Sequence, residues 1–156
     1  MKINWSKLIL SILICLAAGW LGSIFTTAAV QTWYAGINKP SFNPPNWIFA
    51  PVWTILFILM GLALYIIMVK GKGPKAKQAQ IIFSIQLVLN ILWSFCFFYL
   101  RSPLAGLIEI VFLWVFILLT IIYFYKISKT AAYLLLPYIL WVSFAAFLNF
   151  TIWRLN

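Results

Sequence analysis

The chain has 156 residues, of which 66% are hydrophobic and 19% aromatic, with a mean hydropathy of +1.09. Only 8% are charged, where an ordinary soluble domain carries about 25%, and that class is excluded. The net charge of +10 arises from one acid, Glu109, set against eleven scattered bases, so it does not describe a nucleic-acid surface.

Five apolar runs, at about 8–30, 47–69, 81–100, 104–125 and 131–153, reach the ~20 helical residues that cross a hydrocarbon core of ~30 Å. Backbone groups in lipid must be satisfied within helices or closed barrels. These runs are too long for barrel strands and do not alternate. The reading is an all-α membrane protein: one domain over 1–156, a bundle of five transmembrane helices. Lys2, Lys7, Lys70, Lys72, Lys75, Lys77, Lys126 and Lys129 fall on one side, and Lys39, Arg101 and Arg154 on the other. The positive-inside rule then predicts a cytoplasmic N-terminus and a multi-pass integral protein. Lys2, Lys7 and Ala17-Ala18-Gly19 resemble a signal peptide, but apolar residues continue to Val30, so an uncleaved first helix is expected.

In helix 1, Gly19, Gly22, Ser23 and Thr26 form a small-residue stripe, suited to packing within the chain or to a dimer face. The stretch 31–53 follows, with Pro40, Pro44, Pro45 and Pro51 among Trp33, Trp47 and Trp53. Proline locks φ and removes a donor, so no regular helix runs through it; its aromatics disfavour open exposure to water. A structured loop covering the bundle is predicted. Helix 2 is expected to start near Asn46 as N-cap, with Pro51 either in the first turn of a later start or at an early kink. Trp53 then sits just under the cover, with Phe57, Met60, Gly61 and Leu64 along one face, and Gly61 leaves room for a neighbour or a ligand. The cationic turn 70–77 is read as a loop anchored by anionic lipid.

Helix 3 carries Gln86, Asn90, Trp93 and Phe97 on one face. Amides inside a membrane need partners, and either interhelical hydrogen bonds or a ligand would serve. Glu109 lies about 8 Å below the start of helix 4, where an interfacial ion pair with Arg101 or Arg154 is favoured over a functional role. The rest of helix 4, at 110–125, reads as a lipid-facing wall. In helix 5, Pro137 is predicted to free the carbonyl of Tyr133 and bend the helix, while Trp141, Ala145 and Asn149 share a face flanked by Phe144 and Leu148.

Histidine is absent, and Cys15 and Cys96 lie within apolar segments. No metal site, Ser-His-Asp set or Cys-His set can be assembled, and no phosphate loop is present. What remains is an aromatic, amide-lined pocket for a flat apolar molecule that stacks on tryptophan; no cofactor and no nucleic acid are required.

Trp33-Tyr34, Lys39-Pro40-Ser41-Phe42-Asn43-Pro44-Pro45-Asn46-Trp47, Phe49-Ala50-Pro51-Val52-Trp53, Gln86 to Ser94 and Leu136-Pro137-Tyr138 with Trp141, Phe144 and Asn149 together resemble the TspO/translocator-protein family, across essentially the whole chain. The resemblance implies a five-helix bundle whose first loop closes over a pocket, commonly a homodimer. It implies binding of porphyrins such as protoporphyrin IX or haem, or of other flat apolar molecules, at residues matching Tyr34, Pro44, Trp53, Phe57, Asn90, Trp93, Trp141, Phe144 and Ala145. A receptor or transporter without turnover is the leading reading. Light- and oxygen-dependent porphyrin breakdown, with Trp53 and Trp141 as the catalytic candidates, is the second, and a non-catalytic scaffold dimer the third. Animal members carry a sterol motif with tyrosine where this chain has Phe150, so sterol binding is not expected, and a bacterial cell membrane fits the charge bias.

Overall fold

A computed structural model of the chain describes residues 3–156. Five long helices are apolar enough to cross a membrane, and no strand occurs among the described residues. α1 (Trp5–Val30) is followed by a four-residue helix, α2 (Trp33–Gly36), and then by α3 (Asn46–Lys70). α4 (Gly73–Ser94) passes into a π-helical turn, Phe95–Tyr99. α5 (Pro103–Tyr125), α6 (Lys129–Tyr133) and α7 (Leu136–Leu155) complete the chain. α1 packs on α3 and α4, and α5 packs on α4 and α7. α6 returns to α3 and closes the ring.

The ends of these helices follow local chemistry. Asn4 caps α1, its Oδ1 accepting from Lys7 N at 3.1 Å, so the helix begins before its apolar run. Asn46 is not the cap of α3: Pro45 holds that position in extended geometry, and Asn46 is the first helical residue. Pro51 lies inside α3, in its second turn, where the amide it lacks deprives the Trp47 carbonyl of its usual helical donor. The cationic stretch read as a loop is largely helical. Gly73 takes φ +65°, Pro74 opens α4, and Lys75 to Gln80 are good helix formers that hydropathy alone does not register. Arg101, at φ 52°, turns the chain so that Ser102 Oγ can accept from Ala105 N at 3.1 Å and cap α5. Pro137 does not bend a continuous helix; the chain breaks at Leu134–Leu135 and restarts as α7 with Pro137 in its first turn.

α5 is not simply a wall against lipid. Ile110, Leu113, Ile117, Thr120 and Phe124 are buried along one stripe, while Val111, Phe112 and Val115 face outward. Nor does Glu109 form an ion pair. The residue is 6% exposed, both carboxyl oxygens are buried without a hydrogen-bond partner, and Arg101 and Arg154 are exposed. Nearly two turns into the helix, it faces the packed interior rather than the end of the bundle where both arginines lie. Gly61, read as leaving room, meets a neighbour: a Cβ there would lie 2.7 Å from Ile12 Cα of α1.

The connection between α1 and α3 is structured, as its prolines and aromatics predict. Tyr34 is buried against Phe97 and Phe98, at ring distances of 6.2 and 5.7 Å, and its hydroxyl donates to Asn43 Oδ1 at 2.8 Å. Burial pushes the Tyr34 phenol up to about 12, so it stays a neutral donor. Lys39 Nζ satisfies the carbonyls of Tyr34 and Ile37, at 2.6 and 3.0 Å, and sits over the Tyr34 ring. Trp47, by contrast, is 74% exposed and forms no part of the cover's underside.

The cover is tied to α7 by a reciprocal pair of amides. Asn38 N donates to Asn156 Oδ1 and Asn156 Nδ2 donates to Asn38 O, both at 2.9 Å. Asn156→Ala removes both bonds, and hydrogen exchange at the Asn38 amide is expected to accelerate about tenfold. Equal exchange in the two proteins would show that this clasp does not hold the cover.

Candidate functional site

Beneath the cover lies a cavity of about 530 Å³, bounded by α1, α2, α3, α4 and α7. No residue of α5 or α6 lines it, and none of its lining side chains is charged. α1 contributes its small-residue stripe: Gly19, Gly22, Ser23 and Thr26 all reach the cavity. Two of its members, Gly19 and Gly22, also serve packing within the chain. A Cβ on Gly22 would lie 3.2 Å from Ser94 Oγ of α4, and one on Gly19 would strike the Phe57 ring of α3.

α3 supplies Phe49, Trp53 and Phe57, spaced four apart on one face. Trp53 stacks on Phe57 at 5.7 Å with the planes 30° apart, and Phe49 meets Trp141 of α7 edge-on at 6.1 Å. From α4 come Asn90 and Trp93, with Phe97 and Phe98 from the π-helical turn. Trp93 stacks on Phe97 at 5.5 Å, and the widened turn lets both Phe97 and Phe98 face inward. α7 adds Trp141, Ala145, Leu148 and Asn149.

The interior amides are held by interhelical bonds, and Asn90 and Asn149 also reach the cavity. Asn90 Nδ2 donates to the Tyr138 hydroxyl at 2.8 Å, and that hydroxyl donates to Gln86 Oε1 at 2.8 Å. Trp93 Nε1 donates to Asn149 Oδ1 at 3.2 Å, and Asn149 Nδ2 donates to Pro103 O at 2.7 Å. Of the two expectations for these amides, the interhelical hydrogen bonds are present, and Asn90 and Asn149 in addition line the cavity. The Trp141 indole N–H is buried without a partner.

Of the residues singled out in the sequence, Tyr34, Trp53, Phe57, Asn90, Trp93, Trp141 and Ala145 line this one cavity. Pro44 and Phe144 do not. Phe144 packs between Trp141, at 5.6 Å, and Phe42 of the cover, at 6.5 Å, so it joins lid to wall. Phe49 and Ser94 line the cavity without having been singled out. Both had a readable signal: Phe49 lies four residues before Trp53 and Ser94 four residues after Asn90, each on the same helix face. No group of side chains able to hold a metal ion exists among the described residues.

The family model for the TspO/MBR family matches residues 11–154. The chain belongs to that family. Its relatives in the family include the tryptophan-rich protein TspO of Chlorobaculum tepidum, 52% identical over 150 residues, covering 96% of this chain and 95% of that one. The tryptophan-rich protein TspO of Archaeoglobus fulgidus is 51% identical over 153 residues, covering 98% and 99%. The human translocator protein is 34% identical over 139 residues, covering 87% of this chain and 82% of its own. Family membership and the five apolar helices together make this an integral, multi-pass membrane protein.

Proposed function

We propose that the chain is a membrane receptor or transporter for a flat tetrapyrrole, with protoporphyrin IX as the test ligand, and that its N-terminus faces the cytoplasm. The observation that carries this reading is the cavity itself: about 530 Å³, uncharged, walled by Trp53, Trp93, Trp141 and four phenylalanines, with the Asn90 amide set among them. Volumes of about 300–1,000 Å³ with few polar groups suit one drug-sized ligand. Aromatic walls favour a planar π-system, each stacked pair contributing about 0.5–1.5 kcal/mol beyond buried area. Turnover by acid–base chemistry has little support in the lining, which holds no carboxylate, basic side chain or thiol.

A dark titration with protoporphyrin IX tests the reading. Saturable quenching of tryptophan fluorescence is expected, with affinity reduced about tenfold in Trp141→Ala through lost stacking. Absence of saturable quenching in the wild type would end it. The second reading, light-driven porphyrin breakdown, draws on Trp53 and Trp141 lining the same cavity. Illumination of the bound sample decides between them. Loss of the porphyrin band that Trp53→Phe and Trp141→Phe slow without weakening binding would favour turnover, and an unchanged spectrum the receptor or transporter.

A further inference from the structure

One chain of polar side chains runs from the cavity surface into the packed interior, where its inner end, Gln86 Nε2, is buried without a partner. Gln86, Tyr138 and Asn90 form a continuous chain of two hydrogen bonds, both 2.8 Å, and the three residues are 1%, 1% and 6% exposed. Of these, Asn90 lines the cavity and the other two do not. We propose that Tyr138, held by Gln86, is a positioning residue that fixes the orientation of the Asn90 amide toward whatever occupies the cavity. The inference rests on the ligand-binding reading given above.

The argument is one of proton count. A tyrosine hydroxyl has one proton and two lone pairs. Its proton is committed to Gln86 Oε1, so it can meet Asn90 only as an acceptor. Asn90 must then turn Nδ2 toward Tyr138, and Oδ1 is left on the other side of the amide as a free acceptor on a cavity-lining residue. Gln86 lies four residues before Asn90 on α4, so both amides project from one face and Tyr138 of α7 can reach both. Terminal amide torsions are otherwise broad and roughly two-fold, so an unheld Asn90 would present its oxygen in some molecules and its NH₂ in others. Fixing one of the two orientations selects for a ligand group of matching polarity.

A purely structural staple between α4 and α7 would show the same bonds, and a double-mutant cycle separates the two roles. Tyr138→Phe keeps the ring, and with it the edge-on contact to Trp53 at 6.3 Å, and removes the hydroxyl alone. Protoporphyrin IX affinity, by dark tryptophan quenching, and thermal unfolding would be measured for wild type, Tyr138→Phe, Asn90→Ala and the double variant. The expected result is a loss of about five- to tenfold on Tyr138→Phe when Asn90 is present and less than about twofold in Asn90→Ala. Gln86→Met, which lets the hydroxyl donate to Asn90 Oδ1 as readily as it accepts from Nδ2 and so releases the amide from its one orientation, should reproduce the pattern, and it stands in if Tyr138→Phe does not fold. Equal losses in both backgrounds, or a lowered unfolding temperature with unchanged affinity, would overturn the proposal and leave a staple. A wild type that does not bind the porphyrin would instead overturn the ligand reading, and this inference with it.

Discussion

Gly61→Ala is expected to destabilise the bundle by about 1–3 kcal/mol, the usual cost of overpacking a well-filled core. For a chain of this size that corresponds to a drop in unfolding temperature of roughly 2–12 °C. The added Cβ would lie 2.7 Å from Ile12 Cα, 3.1 Å from Ile12 N and 3.0 Å from Ile12 Cγ1. Two of those three atoms are backbone, so no rotamer change relieves the clash; α1 itself must move. α1 is held on its other side by α4 and the π-helical turn, and its N-terminal end by Lys7 Nζ donating to Met68 O at 3.0 Å. A shift therefore disturbs several contacts together. Adding Ile12→Ala removes one of the three obstacles, and it should not restore stability. Thermal unfolding of the three variants in detergent checks this; a Gly61→Ala protein within a degree of wild type would show that α1 and α3 are not in the close approach described.

Glycine and alanine positions illustrate how much of this protein can be read from its sequence. The stripe Gly19, Gly22, Ser23 and Thr26 announces close approach, but sequence leaves open whether the neighbour belongs to the same chain or to another. Phe57 and Ser94 lie against Gly19 and Gly22. Length and apolarity were enough to locate the five spans, because a hydrocarbon core imposes both. Helix starts were less legible: capping and proline geometry decide them, so α4 begins at Gly73 within a run of lysines and α3 begins after Pro45. The face bearing Gln86, Asn90, Trp93 and Phe97 was visible as a period, which a helix translates directly into direction.

Pairing is what the sequence withheld. Gln86 and Asn90 find Tyr138 about fifty positions away, and Asn38 finds Asn156 at a separation of 118. Such bonds are fixed by tertiary packing, and no local pattern encodes them. Glu109 shows the opposite error. Charge complementarity suggested an arginine partner, yet its helical phase turns the carboxyl inward while Arg101 and Arg154 stay exposed. Phase outweighed charge. The π-helical turn at Phe95–Tyr99 likewise has no simple sequence signature, and it is what brings Phe98 beside Phe97 and beneath Tyr34.

Gly19→Ala should have the reverse profile of Gly61→Ala, reducing ligand affinity by about tenfold while costing less than about 1 kcal/mol of stability. Here the added Cβ would lie 2.6 Å from Phe57 Cδ2 and Cε2 and 3.3 Å from Cγ, so the obstacle is the ring alone. A ring beside an open cavity can yield where a helix backbone cannot. Phe57 lines that cavity and stacks on Trp53, which lines it too. Displacement away from α1 carries the ring into the volume a ligand would occupy and disturbs the stacked pair. The methyl group thus acts twice, by filling space and by spoiling an aromatic surface. Adding Phe57→Leu to Gly19→Ala relieves the clash but removes an aromatic wall, so it should recover thermal stability without recovering porphyrin affinity. Dark titration with protoporphyrin IX and thermal unfolding of the same samples provide both readouts. If Gly19→Ala instead lowered the unfolding temperature as far as Gly61→Ala and left affinity intact, the ring would have to move into packed protein, and the cavity would not be the space into which Phe57 can yield.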